Sequence, residues 1–210
     1  RDDLFEALSA IKDDQELGAV IFSGAGDRAF CAGADLTEFG TAPSRVIARQ
    51  VRWERDVWGL FLSIETPLIA AMHGFVIGSG VEIGLCCDMR IASQDAQFSL
   101  PEVALGMIPA AGGTQTVPRL IRRSAALRMM LAGDRLNAEE ALRIGLVNRI
   151  VPQSVLMNTA KQKAAKFLSM DPLALKYAKR AVNQGLDMRL EDGLDLERRL
   201  AALLMMKRKN

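Results

Sequence analysis

Apolar residues recur along this chain in two alternating rhythms. Leu4, Phe5, Leu8 and Ile11 have helical spacing, so a helix is expected over 4–11. Residues 19–23 form a short apolar run bounded by glycines, the signature of a buried strand. A turn at 24–27 and a small-residue loop at 30–35 follow. Residues 44–64 read as one helix, with Val46, Ile47, Val51, Trp58 and Leu62 as packing residues. Pro67 introduces a strand at 68–72, and a third apolar segment spans 75–77. After Gly78-Ser79-Gly80 a helix is expected over 81–87, then strands at 89–92 and 96–99. Beyond residue 115 the rhythm turns mostly helical. A helix is expected over 117–132, and Asn137 with Glu140 makes a capping-box pattern for a helix through Ile144. A strand over 145–151 follows. From Ser154 the chain reads as helical almost to its end, with Pro172 as a start signal. Alternating strands and helices followed by a helical tail predict an α/β core over 1–152 and a helical region over 153–210.

Composition narrows the function classes. Half of the 210 residues are hydrophobic, enough for a substantial core. The 27 basic and 25 acidic side chains nearly cancel, which argues against a dedicated nucleic-acid binder. Cys31, Cys86 and Cys87 are odd in number and fit neither a disulfide framework nor a zinc pattern. Free thiols, and an opening Arg1-Asp2-Asp3 unlike a signal peptide, point to a cytoplasmic protein. The apolar stretch 68–87 is about long enough to span a bilayer. It contains His73, Glu82, Gly74, Gly78, Ser79, Gly80 and Gly84, so no membrane span is expected.

Three stretches could carry chemistry. Phe30-Cys-Ala-Gly-Ala-Asp35 is built of small residues that let backbone N–H groups approach a ligand; a tight surface loop would look the same. Gly74 to Glu82 runs from a strand through Gly78-Ser79-Gly80 into a helix, whose first amides are unsatisfied and favour negative charge. It fails as a dinucleotide fingerprint, because the third glycine would fall at Ile83. Glu82 alone could simply stabilise its own helix dipole. In Ser99-Leu-Pro-Glu-Val-Ala-Leu-Gly106, Glu102 sits in apolar surroundings that should raise its pKa, or it is an exposed loop acid.

Together and in this order, these stretches resemble the enoyl-CoA hydratase (crotonase) superfamily. The shared features are a loop ending Ala-Gly-Ala-Asp and a Gly-rich turn followed by a glutamate. A Pro-Glu pair, Leu-Gly and Pro-x-x-Gly-Gly-Thr come next. Gly133-Asp-Arg-Leu-Asn-Ala-Glu-Glu-Ala141 and Gly145-Leu-Val147 extend the likeness. It covers about 17–152 and, more loosely, the remainder. The resemblance implies a spiral core of repeated ββα units with a C-terminal helical trimerisation region. It implies syn addition of water to a 2-enoyl-CoA thioester, giving the 3-hydroxyacyl-CoA. Glu82 and Glu102, twenty residues apart (82 to 102), would share the water, and the amides of Ala34 and Ser79 would bind the thioester oxygen. Relatives commonly carry glycine at the Ser79 position, so this serine could narrow the acyl pocket or add a hydroxyl contact.

The resemblance further places substrate or CoA contacts at Ala32, Gly33, Asp35, Leu36, Gly78, Gly80, Pro101, Leu105 and Gly106. It offers Lys207, Arg208 and Lys209 as partners for the CoA phosphates. No metal or separate cofactor is implied, and His73 reads as structural. Homotrimers or homohexamers are implied, with Leu196, Leu200, Leu203 and Leu204 as a tail stripe for subunit contact. Relatives have an additional N-terminal strand before the helix near Leu4, and Leu203 to Lys209 reads as though an acidic loop had been removed between Met205 and Met206. Three rival readings stay open: a Δ3,Δ2-enoyl-CoA isomerase needing Glu102 but not Glu82, a hydratase of an alicyclic enoyl-CoA, and a non-catalytic RNA-binding member using Arg119, Arg122 and Arg123.

Overall fold

A computed structural model describes residues 1–38 and 40–207, with Arg52 described by its backbone alone. Phe39 and the proposed phosphate partners Arg208 and Lys209 lie outside the described residues.

The chain opens with α1 (Asp2–Asp13), then β1 (Val20–Ser23) and β2 (Ala29–Cys31). Helices α2 (Arg45–Glu54) and α3 (Val57–Ser63) follow. The next unit is β3 (Leu68–Met72), β4 (Phe75–Ile77) and α4 (Ser79–Cys86). The third is β5 (Met89–Ser93), β6 (Gln97–Ser99), a 3-10 turn at Glu102–Leu105 and α5 (Gly113–Leu120). Each unit adds one strand to each of two sheets. One sheet has the order β1-β3-β5 and closes with β8 (Arg149–Val151), all parallel. The other has the order β2-β4-β6 and closes with an antiparallel β7 (Leu136–Asn137). This is the spiral of ββα units that the resemblance implies.

The apolar run at 68–72 owes its composition to burial on both faces. Alternate side chains of a strand point to opposite sides. Leu68, Ala70 and Met72 join the main core with Val76, Phe98 and Leu136. Ile69 and Ala71 pack with Leu156 and Ala160 of α8 (Gln153–Leu168). The stretch once long enough for a bilayer is therefore two strands and a helix. No helix among the described residues is long and apolar enough to cross a membrane.

Several expectations change in detail. The expected loop at 30–35 begins inside β2, a strand of three residues too short to show an apolar rhythm. The single helix over 44–64 is two, because the Asp56 carboxylate accepts from the Gly59 amide at 3.0 Å and starts α3 afresh. Val57 and Phe61 are the residues buried there, whereas Val46, Ile47, Val51 and Leu62 remain exposed and Trp58 is half-buried. The helix over 117–132 becomes α5, α6 (Arg123–Leu127) and a π-helical turn at Arg128–Ala132. The strand over 145–151 shrinks to β8, since Gly145 is left-handed and Leu146 and Val147 are buried loop residues. The Asn137 capping box forms as expected at the start of α7 (Ala138–Arg143). The tail is three helices: α8, α9 (Pro172–Gly185) and α10 (Leu190–Lys207), with Met205 and Met206 consecutive in the last. Its stripe divides: Leu200 is buried within the chain and Leu203 faces outward.

Gly80 fixes how α4 approaches β2. A Cβ there would lie 2.2 Å from the carbonyl oxygen of Cys31. That neighbour is backbone and cannot turn aside. Gly80→Ala should therefore lose about 1–3 kcal/mol of stability, as overpacked sites do, seen as a lower urea midpoint. An unchanged midpoint would show that this approach is not tight.

Candidate active site

The spiral brings the three chemistry-bearing stretches to one place. Gly33 adopts a left-handed φ of 107°, and a Cβ built on it would lie 3.4 Å from the Ile77 carbonyl oxygen. The 30–35 loop and the Gly78-Ser79 turn are thus in contact. A Cβ on Gly78 would sit 2.8 Å from Glu102 Oε1 and 3.9 Å from the Gly33 Cα. One small residue joins all three stretches, which explains why the position demands glycine. Among the described residues, the amides of Ala34 and Ser79 donate to no protein acceptor.

Glu82 lies one turn into α4 and is 3 % exposed. Its Oε1 accepts from the amides of Ala111 and Gly113, each at 2.9 Å. These donors stand at the entry to α5, where Gly112 turns left-handed at φ 99°. A Cβ on Gly113 would come 2.8 Å from Glu82 Oε1, so that glycine too is required by close approach. Burial pushes the Glu82 pKa up. The Gly113 and Ala111 amides oppose that shift, and the negative charge of Glu102 adds to it.

Glu102 starts the 3-10 turn after Pro101 and is half-buried. Its Oε2 is buried and, among the described residues, has no hydrogen-bond partner. Burial also pushes its pKa up, opposed by its own backbone amide. The two carboxyls therefore sit in unlike settings. One has two fixed donors, which favour the charged form; the other has an empty oxygen.

The remaining expected residues divide. Ala32, Leu36, Leu105 and Gly106 are exposed on the same loops, and Pro101 is partly so. Asp35 spends its carboxylate locally, accepting from the Thr37 hydroxyl at 2.7 Å and amide at 2.9 Å, which lowers its pKa. Gly80 is buried against Cys31. His73 is buried away from the acids, beside a cavity of about 190 Å³ that Ser23, Gly24, Gln153 and Leu156 also line. Among the described residues no three His, Cys, Asp or Glu side chains gather as a metal-binding group. The Ala111 and Gly113 donors went unforeseen. Their only sequence signal is the Gly-Gly pair before a helix, since amide donors carry no residue identity.

Comparison with known proteins identifies the family. The family model described as enoyl-CoA hydratase/isomerase matches residues 1–209. A short-chain-enoyl-CoA hydratase of Clostridium acetobutylicum is 40 % identical over 201 residues, covering 90 % of this chain and 73 % of that one. A crotonyl-CoA hydratase of Syntrophomonas wolfei is 39 % identical over 193 residues, covering 91 % and 74 %. The crystal structure of an enoyl-CoA hydratase from Bacillus anthracis superimposes with a TM-score of 0.89 at 37 % identity, covering 96 % of this chain and 78 % of that one.

The setting of Glu102 has a cost in stability. A carboxyl whose folded pKa is raised binds more protons folded than unfolded between the two values. Stability then falls as pH rises through that window. Glu102→Gln removes the titration. The variant should be more resistant to urea than the parent at pH 8, with the gap narrowing toward pH 4. A parent that gains on the variant as pH rises would contradict the assignment.

Proposed function

The chain belongs to the enoyl-CoA hydratase/isomerase family and is a hydro-lyase, an enoyl-CoA hydratase; from that premise we propose that Glu82 and Glu102 perform the addition of water between them. The observation that carries the assignment is their unequal setting. Oε1 of Glu82 is held by two backbone amides, whereas Oε2 of Glu102 is buried without a partner.

The chemistry requires such inequality. Water is a poor nucleophile until a base takes its proton, and Cα accepts a proton only from an acid near it. Two groups whose surroundings treat their charged forms differently can divide these tasks. In this reading the Glu82 carboxylate takes a proton from the water as its oxygen bonds to Cβ. The electron pair of the double bond moves toward the thioester, and protonated Glu102 delivers its proton to Cα. The proton gained by Glu82 then returns to Glu102 through a following water, so the enzyme ends as it began. Nothing beyond water and substrate is consumed, and no separate cofactor enters the scheme.

Negative charge collects on the thioester oxygen during the step. The amides of Ala34 and Ser79 are the donors proposed to receive it, supported by their lack of other acceptors and by the contact between their loops. Exposed Leu36 and Leu105 would flank the acyl and CoA portions. Of the proposed phosphate contacts, Lys207 lies at the end of α10.

Homotrimeric or homohexameric assembly belongs to the same proposal. It is supported by apolar residues that the single chain leaves bare on its last two helices and the link between them. Val182, Leu186 and Leu190 are 60 %, 75 % and 79 % exposed. Native mass spectrometry should find three or six copies, and a monomer at micromolar concentration would exclude the assembly.

The activity test is direct. Following the loss of enoyl absorbance of crotonyl-CoA, the parent should hydrate it. Glu82→Gln and Glu102→Gln should each lower kcat by about 10²- to 10⁴-fold. If Glu82→Gln left turnover intact, the two-carboxylate scheme would fail.

A further inference from the structure

Ser99 closes β6 and is 2 % exposed. Two of its polar groups bind segments distant in sequence. Its carbonyl accepts from the Gly78 amide at 2.9 Å and so holds the capping residue of α4. Its hydroxyl donates to the Gly133 carbonyl at 3.1 Å. A strand ladder is made by backbone groups and needs no hydroxyl. The bond to Gly133 is therefore additional to the pairing of Ser99 with Ile77 in β4.

Gly133 is left-handed at φ 66° and ends the π-helical turn Arg128–Ala132, whose Met129 and Met130 are buried. Such turns interrupt the ordinary helical ladder and are frequent beside functional sites. A Cβ on Gly133 would lie 3.6 Å from the Pro101 Cα. The end of the π turn thus backs the residue that opens the Glu102 turn. The far end of that turn is closed locally, the Glu102 carbonyl accepting from the Met107 amide at 3.0 Å. Its near end hangs from Ser99 and from Leu100, which is fully buried. The carboxyl itself stands over Gly78, 2.8 Å from a Cβ built there. Ser99 holds the residue under the carboxyl through its carbonyl, and the segment behind Pro101 through its hydroxyl.

We propose that the Ser99 hydroxyl is a positioning group for Glu102: by holding Gly133 against Pro101 it sets where the carboxyl stands, and so the line along which a proton passes to Cα. The inference rests on the role of acid given to Glu102 above. The two acids are held in different ways. Glu82 is tied through its own carboxyl by two amides. Glu102 Oε2 has no partner among the described residues, so the turn that carries it must fix its place. A proton donor set slightly out of line slows its own step while substrate binding is kept.

The test is a double-mutant cycle on crotonyl-CoA hydration by the full chain. Ser99→Ala should lower kcat about threefold to tenfold, as loss of one hydrogen bond predicts, with KM within about twofold. Ser99→Cys, whose thiol is a weak donor, should fall with it. Ser99→Thr keeps a hydroxyl and should keep about half of the parent kcat or more. In the Glu102→Gln background the Ser99→Ala loss should shrink below about twofold, because the group it acts through is gone. Leu156→Ala, in the core between the first sheet and α8, should lower the urea midpoint at least as far with kcat within about twofold of the parent, which separates lost stability from lost alignment. The proposal is overturned if Ser99→Ala keeps the parent kcat, if Ser99→Thr loses as much as Ser99→Ala or Ser99→Cys, or if the loss is undiminished in Glu102→Gln. A parent inactive on every enoyl-CoA would sink the hydratase reading instead. Crystal structures of the parent and Ser99→Ala would then decide the role of Ser99: the Glu102 carboxyl should leave its place over Gly78 in the variant, and a carboxyl unmoved overturns the proposal.

Discussion

The two hydrogen bonds from the Ala111 and Gly113 amides to Glu82 Oε1 tie the entry of α5 to the first turn of α4. Much of the site depends on them. They hold a carboxylate that is 3 % exposed, where an unpartnered charge would be costly. They also engage Oε1 alone and leave the other oxygen without a donor among the described residues. The left-handed Gly112 that aims these amides, and Gly113, which leaves room for Oε1, are parts of the same device. A carboxylate so anchored keeps its orientation while its charge changes during a reaction.

The spiral supplies the remainder. Each ββα unit ends a second-sheet strand close to the end of the one before it. Residues 33, 78 and 102, far apart in sequence, therefore meet within van der Waals reach. Parallel strands buried on both faces make that scaffold stiff, and Leu68–Met72 shows how completely. Loops then hold the candidate residues at fixed separations. The raised pKa of Glu102 and its unpartnered oxygen cost stability, the conflict that the proposed role would explain.

Much of this was legible in residue order. Glu82 and Glu102 stood out through the company they keep, and the Asn137–Glu140 capping box through a pattern whose physics is local. The strands at 68–72 and 75–77 were marked by apolar runs between breakers. What escaped depended on tertiary contact or on groups without identity. The strand Ala29–Cys31 is only three residues long and runs into small residues, so it read as loop until a neighbour paired with it. The restart at Asp56 is a capping signal that the longer helical rhythm masked. Val46, Ile47 and Val51 have a packing rhythm, yet the single chain does not bury them. The amide donors to Glu82 were invisible because every residue but proline carries one.

The division of labour between the two acids is the central claim, and exchange at Cα tests it without requiring net hydration. Butyryl-CoA, which lacks the double bond, should exchange a Cα proton with D2O when incubated with the parent. Glu82→Gln should retain most of that exchange, because Glu102 is the group at Cα, and Glu102→Gln should abolish it. Exchange that survives in Glu102→Gln and vanishes in Glu82→Gln would reverse the roles and contradict the account.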